Sequence, residues 1–339
     1  MVDRPGARVR AAVVGTGLIG GSVLLRMHAA GIDVTGWDPD EATRREARRI
    51  GVPAPDRLVE AVTDRDVVFL CGPLPTLPAT LVEVAAVTGE RCVLTDVGST
   101  KEEVAAFAAA QGLTHRFVPG HPMAGTDRAG LTAAGSDLLT GAAWVLCPAA
   151  GAATAAFRWL AELLVDLFEA RVVPMSAAEH DSAAALASHV PHLLAGALAG
   201  AVQRAPLRDA ILALAAGSFS DGTRVAGTPA DRTANMLLGN RDRVLRELTE
   251  VTAFLDDLTA ALRAGDAPAL TARYDEARTS RAALRDRRFD AYDRQFPLGG
   301  DHTAEVSWLH ELGVAGGHLT GLRVGVETVS YAARRPAAD

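Results

Sequence analysis

The chain has 339 residues, 49% of them hydrophobic and 22% charged, with a formal net charge of −7. That length allows two domains with separate cores, and an acidic balance with no basic stripe weighs against a nucleic-acid partner. The cysteines Cys71, Cys92 and Cys147 form no C-x-x-C pair, which fits a reducing cytoplasm better than a disulfide framework.

Met1 to Arg10 carries charge and Pro-Gly rather than an apolar signal region, and no run of 18 apolar residues suggests a membrane span. The expectation is a cytoplasmic, membrane-free protein. The Arg-dense stretches Arg44 to Arg49 and Arg281 to Arg288 read as solvated helix faces.

The first half alternates β-branched runs with helical periodicity. Ala11 to Val14 reads as a strand, Ser22 to Ala30 as a helix, Val34 to Trp37 as a strand and Glu41 to Ile50 as a helix. Further strands are predicted at Val67 to Cys71, Cys92 to Thr95, Phe117 to Pro119, Ala143 to Cys147 and Arg171 to Pro174. From Ser176 onward strand signals vanish. Ala178 to Gln203, Asp209 to Ser218, Ala230 to Leu238, Arg241 to Arg263 and Ala267 to Arg288 have helical spacing.

The predicted architecture is an α/β Rossmann domain, a doubly wound parallel sheet, over residues 1–174. An all-α dimerisation and substrate domain follows over 175–298. Helices that are Ala- and Leu-rich on more than one face must be buried, and a homodimer interface is the natural place. Residues 299–339 form an extension of unassigned role, with Val306 to Leu312 readable as helix and Leu319 to Val329 as strand.

Gly15-Thr16-Gly17-Leu18-Ile19-Gly20 follows the first strand and opens a helix, the context in which G-x-G-x-x-G marks a dinucleotide site. Gly15 permits the tight turn, Gly17 the approach of the pyrophosphate, and Gly20 close helix–strand packing. Asp38 ends the second strand 18 residues after Gly20, where an acid accepts from the ribose hydroxyls and repels a 2′-phosphate. Arg44 and Arg45 lie a turn or more beyond, so NAD is expected over NADP. Gly72-Pro73 and Asp96-Val97-Gly98-Ser99 end later strands and should reach the nicotinamide side. Cys71 reads as a small buried residue.

Gly120-His121-Pro122-Met123-Ala124-Gly125-Thr126 places a His between Gly and Pro at a strand end. Oxidation of an alcohol needs a base for the hydroxyl proton, and imidazole has a suitable pKa. His180, His189 and His192 lack nearby Cys or H-E-x-x-H spacing, so no metal is expected.

These motifs resemble the prephenate/arogenate dehydrogenase family. The carriers are the Gly15 loop with Gly21-Ser22, Asp96 to Lys101, Gly120 to Gly125, Ser188-His189-Val190-Pro191-His192 and Phe219-Ser220-Asp221-Gly222-Thr223-Arg224, in family order over roughly residues 10 to 295. The resemblance implies an active site between a Rossmann domain and a helical dimerisation domain. It implies that His121 receives the ring-hydroxyl proton and that Ser99 bonds that hydroxyl or orients His121. Arg224 would hold the departing ring carboxylate. His189 and His192 would line the pocket, Thr126 would contact the substrate, Asp127 would pair with the arginine and gate entry, and Asp221 would face the neighbouring subunit's site. NAD would lie on Gly15, Gly17, Leu18, Ile19, Gly20, Asp38, Gly72, Pro73 and Ser99.

Ser220 stands where many relatives carry Lys, Thr233 where many carry Trp, and Asn235 replaces an acid. Prephenate is the expected substrate, with Thr132 leaning the same way. Arogenate and 4-amino-4-deoxyprephenate stay open. Two further alternatives are a β-hydroxyacid or imine-reducing dehydrogenase and a non-catalytic NAD-sensing module. The first would want a Lys near Glu179, His180 and Asp181. The second would have no use for His121, Ser99 and Arg224.

Overall fold

The computed structural model describes residues 9–126 and 128–337. Strands β1 (Arg10–Val14), β2 (Asp33–Trp37), β3 (Val67–Leu70), β4 (Val93–Asp96) and β5 (Phe117–Val118) form a parallel sheet in the order β2-β1-β3-β4-β5. All four residues of β3 are buried, as are those of β4, because helices cover both faces and leave neither for water. The strand order reverses between β1 and β3, which opens a crevice at their carboxyl ends. The helix Leu18–Ala29 starts there, with Val23, Leu24 and Met27 turned to the core beside Phe69.

The last strands do not extend this sheet, as a single doubly wound sheet would require. They build a second one, in the order β6-β7-β8-β10-β11-β9, from β6 (Gly120–Pro122), β7 (Ala143–Leu146), β8 (Arg171–Pro174), β9 (Phe289–Pro297), β10 (His318–Val324) and β11 (Thr328–Pro336). The chain changes sheets at Pro119, which has no N–H for a ladder; its carbonyl accepts from Cys147 N at 2.9 Å. His121 thus enters the second sheet at the mouth of the first.

The C-terminal segment corrects two expectations. The last long helix ends at Arg285, and the next residues form β9 rather than more helix. Its shielded side chains are Phe289, Tyr292 and Phe296, a helix-like spacing on a strand that pairs with β11 from Phe289↔Pro336 to Pro297↔Thr328. The predicted strand Leu319 to Val329 is two strands folded at Gly325, whose N–H donates to Thr328 O. The helix Thr303–Val314 packs Trp308 on Phe296 and Tyr331, and β10 joins β8 at Leu319↔Val172. Residues 299–337 are therefore built onto the N-terminal half.

Between the two halves of this sheet runs the helical region: one continuous helix Ala177–Gln203, then Arg208–Leu214, Gly217–Thr223, Ala230–Gly239, Arg241–Ala264 and Ala267–Arg285. The predicted helix Asp209 to Ser218 is broken where Ala216 is extended. Helix Ala177–Gln203 is long and apolar enough to match a membrane span by composition, although the sequence shows no unbroken apolar run. It buries His180, Asp181 and His189 and leaves Leu186, Leu194 and Leu198 exposed.

Candidate active site

The loop after β1 is shaped by its glycines. Gly15 has φ +91°, and a Cβ there would stand 2.7 Å from the Cys71 carbonyl carbon; a Cβ at Gly20 would stand 2.0 Å from Gly15 O. A Cβ on Gly17 meets nothing within 4 Å, so the space above the loop is open. Gly17 caps helix Leu18–Ala29 without a side-chain hydrogen bond, leaving first-turn N–H groups for an anion. This cradle suits a pyrophosphate.

Asp38 Oδ2 accepts from Thr16 N at 2.8 Å and Oδ1 from Asp40 N at 3.0 Å, which fixes the carboxylate at the loop. Arg44 is nearer than its sequence position suggests: Nη1 donates to Asp38 O at 2.7 Å and Pro39 O at 3.1 Å. The helix that begins at Glu41 curls it back over the strand end. Gly72 and Pro73 follow β3 beside Gly15. Burial, then the Asp96 charge, pushes the Cys71 thiol up, so it is an inert packing residue.

At the end of β4 the buried Asp96 accepts from Gly98 N at 2.8 Å and Gly120 N at 3.1 Å and pairs with the fully buried Lys101 Nζ. One carboxylate thereby ties the loop carrying Ser99 to the strand carrying His121.

His121 Nδ1 lies 2.9 Å from His180 Nε2, and His180 Nδ1 lies 2.7 Å from Asp181 Oδ1. Asp181 also receives Lys101 N at 2.8 Å and Glu102 N at 2.9 Å. Burial, followed by His180, Lys101, His189 and Arg232, holds the His121 imidazole well below its usual range, hence neutral at pH 7. Burial alone would raise Asp181, but the His180 hydrogen bond and the two backbone donors bring it below the ordinary carboxylate value. The chain of three was missed in sequence. The consecutive Glu179-His180-Asp181 at the head of a helix was visible, but the 59-residue gap to His121 is closed only by folding.

His189 is fully enclosed. Asn240 Nδ2 donates to its Nδ1 at 3.1 Å and to Asp181 O at 2.6 Å. Burial lowers the His189 pKa to about 4, with the neighbouring histidines adding to the effect and Asp181 opposing it. Its Nε2 has no hydrogen-bond partner among the described residues. His189 closes a wide π-type turn, Ala185–His189, beside Pro191, which lacks an N–H to complete the regular ladder. His192 Nδ1 lies 2.9 Å from Ser188 O.

Thr126 Oγ1 accepts from Arg128 N on the loop after β6. Asp127 lies outside the described residues. Asp221 and Arg224 sit on an exposed helix and turn packed against helix Ala177–Gln203. The arginine whose charge reaches His121 is Arg232, whose Nη2 stands 3.8 Å from where a Gly125 Cβ would lie. Sequence reasoning passed over it. Neither Arg224 nor Arg232 has an ion-pair partner among the described residues, and partial desolvation lowers the Arg232 pKa. His180, His189 and His192 are not gathered: among the described residues no three His, Cys, Asp or Glu side chains are placed to hold a metal.

Two family profiles match the chain: the prephenate dehydrogenase nucleotide-binding domain over residues 22–174 and the prephenate dehydrogenase dimerization domain over 176–276. A cyclohexadienyl dehydrogenase from Zymomonas mobilis is 31% identical over 280 residues, 81% of this chain and 95% of that protein. A prephenate dehydrogenase from Bacillus subtilis is 31% identical over 280 residues, 80% of this chain and 75% of that protein. The solved Synechocystis arogenate dehydrogenase is similar with a TM-score of 0.68 and 26% identity, covering 81% of this chain and all of that one.

Proposed function

This chain belongs to the prephenate dehydrogenase family, and from that premise we propose that it oxidises and decarboxylates prephenate to 4-hydroxyphenylpyruvate with NAD, on the route to tyrosine. The observation that carries the reading is His121, a desolvated neutral imidazole at the mouth of the nucleotide crevice. Its neutral ring is able to accept a proton.

Gly15, Gly17, Leu18, Ile19, Gly20, Asp38, Gly72 and Pro73 would hold the dinucleotide, and Ser99 its nicotinamide end. When bound, NAD supplies the acceptor for the hydride leaving the ring carbon. His121 takes the hydroxyl proton, with Ser99 on the same hydroxyl. Arg224 grips the ring carboxylate through a planar two-pronged donor, and Arg232 supplies a second cation for the other carboxylate of a dianion. His192 lines the side-chain end. Aromatisation of the ring drives the loss of carbon dioxide, so the protein need only align the groups and take one proton. The exposed leucines of helix Ala177–Gln203 support a homodimer through the helical region, with Asp221 facing the second subunit's site.

Steady-state comparison of prephenate, arogenate and 4-amino-4-deoxyprephenate, each with NAD and NADP, tests the reading. Prephenate with NAD is expected to give the highest kcat/KM. A higher value for either of the others replaces the substrate, and no turnover of any of the three overturns the reaction.

A further inference from the structure

We propose that His180 and Asp181 set the tautomer of His121, so that Nε2 is the atom that takes the substrate proton. This positioning role rests on the reading of His121 as the base. The direction of each hydrogen bond follows outward from the carboxylate. Asp181 receives the N–H of Lys101 on Oδ1 and that of Glu102 on Oδ2. Both donors belong to the start of helix Glu102–Ala110, whose own cap residue, Lys101, makes no side-chain capping bond. Asp181 thus caps that helix from the other half of the chain, and the helix end holds it as an anion.

A carboxylate in this setting only accepts. His180 Nδ1, 2.7 Å away, therefore carries the hydrogen, and with that single ring hydrogen His180 presents Nε2 as a lone pair. That lone pair lies 2.9 Å from His121 Nδ1, so His121 donates to it and its own Nε2 is bare. His180 and Asp181 are 2% and 1% exposed, which leaves water no opening to offer His121 Nδ1 a different partner.

When the substrate O–H bond breaks, the proton forms a bond to Nε2 and the electron pair stays on oxygen. The resulting imidazolium keeps its Nδ1–H on His180, and its charge faces a chain that ends on Asp181. His189 does not compete for the role. Asn240 donates to its Nδ1, so its hydrogen sits on Nε2 and it offers no bare nitrogen.

The test combines 15N NMR of the histidine rings in the ligand-free protein with kinetics of His180→Phe and His180→Gln. Wild-type His121 is expected to be protonated at Nδ1 and bare at Nε2 at neutral pH. In His180→Phe the hydrogen should move toward Nε2, with kcat lower by about 10²-fold and KM within about threefold. His180→Gln offers an amide oxygen to the same N–H, so it should keep the Nδ1–H tautomer and recover kcat to within about tenfold of wild type. Wild-type His121 protonated at Nε2 overturns the proposal, and that observation needs no variant to fold. So does a folded His180→Phe with an unchanged tautomer and kcat. Because the NMR arm uses no substrate, failure of the substrate reading shows separately, as absent turnover with the tautomer intact.

Discussion

Arg158 and Glu305, 147 residues apart, form a buried two-pronged ion pair. Arg158 Nε donates to Glu305 Oε1 at 2.8 Å, and Nη2 pairs with Oε2. Tyr331 OH donates to the same carboxylate, and His302 Nδ1 lies 3.2 Å from Arg158 Nη2. One helix of the nucleotide-binding half is thereby locked to the C-terminal helix and to β11.

Removing one partner of such a pair leaves a buried charge. Glu305→Ala is expected to cost about 3–5 kcal/mol, well above a typical substitution, and to lower the thermal midpoint of the whole chain. Truncation after Leu298 should be as damaging or worse. Denaturant melts showing Glu305→Ala within about 1 kcal/mol of wild type would mean that the C-terminal segment is an appendage.

NAD is expected to be strongly preferred, because the Asp38 carboxylate, fixed at the glycine loop, would face the 2′-phosphate of NADP. Asp38→Ala should raise the NADP-to-NAD ratio of kcat/KM by tenfold or more, about 1.4 kcal/mol. Arg44, already against the Asp38 carbonyl, becomes available to the phosphate. Wild-type kcat/KM for NADP equal to that for NAD sinks the assignment.

His121→Asn retains a hydrogen-bonding side chain but takes no proton at neutral pH. Its kcat should fall by about 10²–10⁴ with little change in KM. Arg224→Ala and Arg232→Ala should instead act mainly on KM, each losing about 2–4 kcal/mol of grip on a carboxylate. A His121→Asn enzyme with near-normal kcat excludes His121 as the base.

Acid should destabilise the ligand-free fold through its buried histidines. Burial holds His189 and His318 at about 4, whereas an unfolded imidazole titrates near ~6.5. Between those values the unfolded chain binds protons that the folded one refuses. Stability is therefore complete above ~6.5 and lost as pH falls toward 4, by up to about 3 kcal/mol per group. Urea melts at pH 7 and pH 4.5 measure this, and a flat profile contradicts it.

Leu186, Leu194 and Leu198 are 50%, 41% and 47% exposed on one helix, an apolar surface that single molecules rarely leave wet. Sedimentation should find a dimer, consistent with the match to the dimerization domain. Leu194→Glu should weaken it without unfolding the protein. A wild-type monomer at micromolar concentration removes the proposed reach of Asp221 across the interface.

What was legible in the sequence is what is local. The turn at Gly15 needs a positive φ, Gly20 needs to be bare, and Asp38 ends the adjacent strand, so a few neighbouring residues encode the cradle. His121 stood out as a candidate for the same reason, held between Gly120 and Pro122. The partners of His121 did not, because His180, Asp181 and Lys101 are ordinary residues until the helix Ala177–Gln203 is laid across the strand ends. Arg44 and Arg232 belong with them: their reach depends on the path of a helix and the folding of a loop, not on distance along the chain. Strand β9 was not legible for a physical reason, since Phe289, Tyr292 and Phe296 repeat as a helix face would rather than in alternation. Only the long pairing with β11 and the ring of Trp308 made that segment a strand, because backbone pairing between distant segments outweighs a local period of side chains.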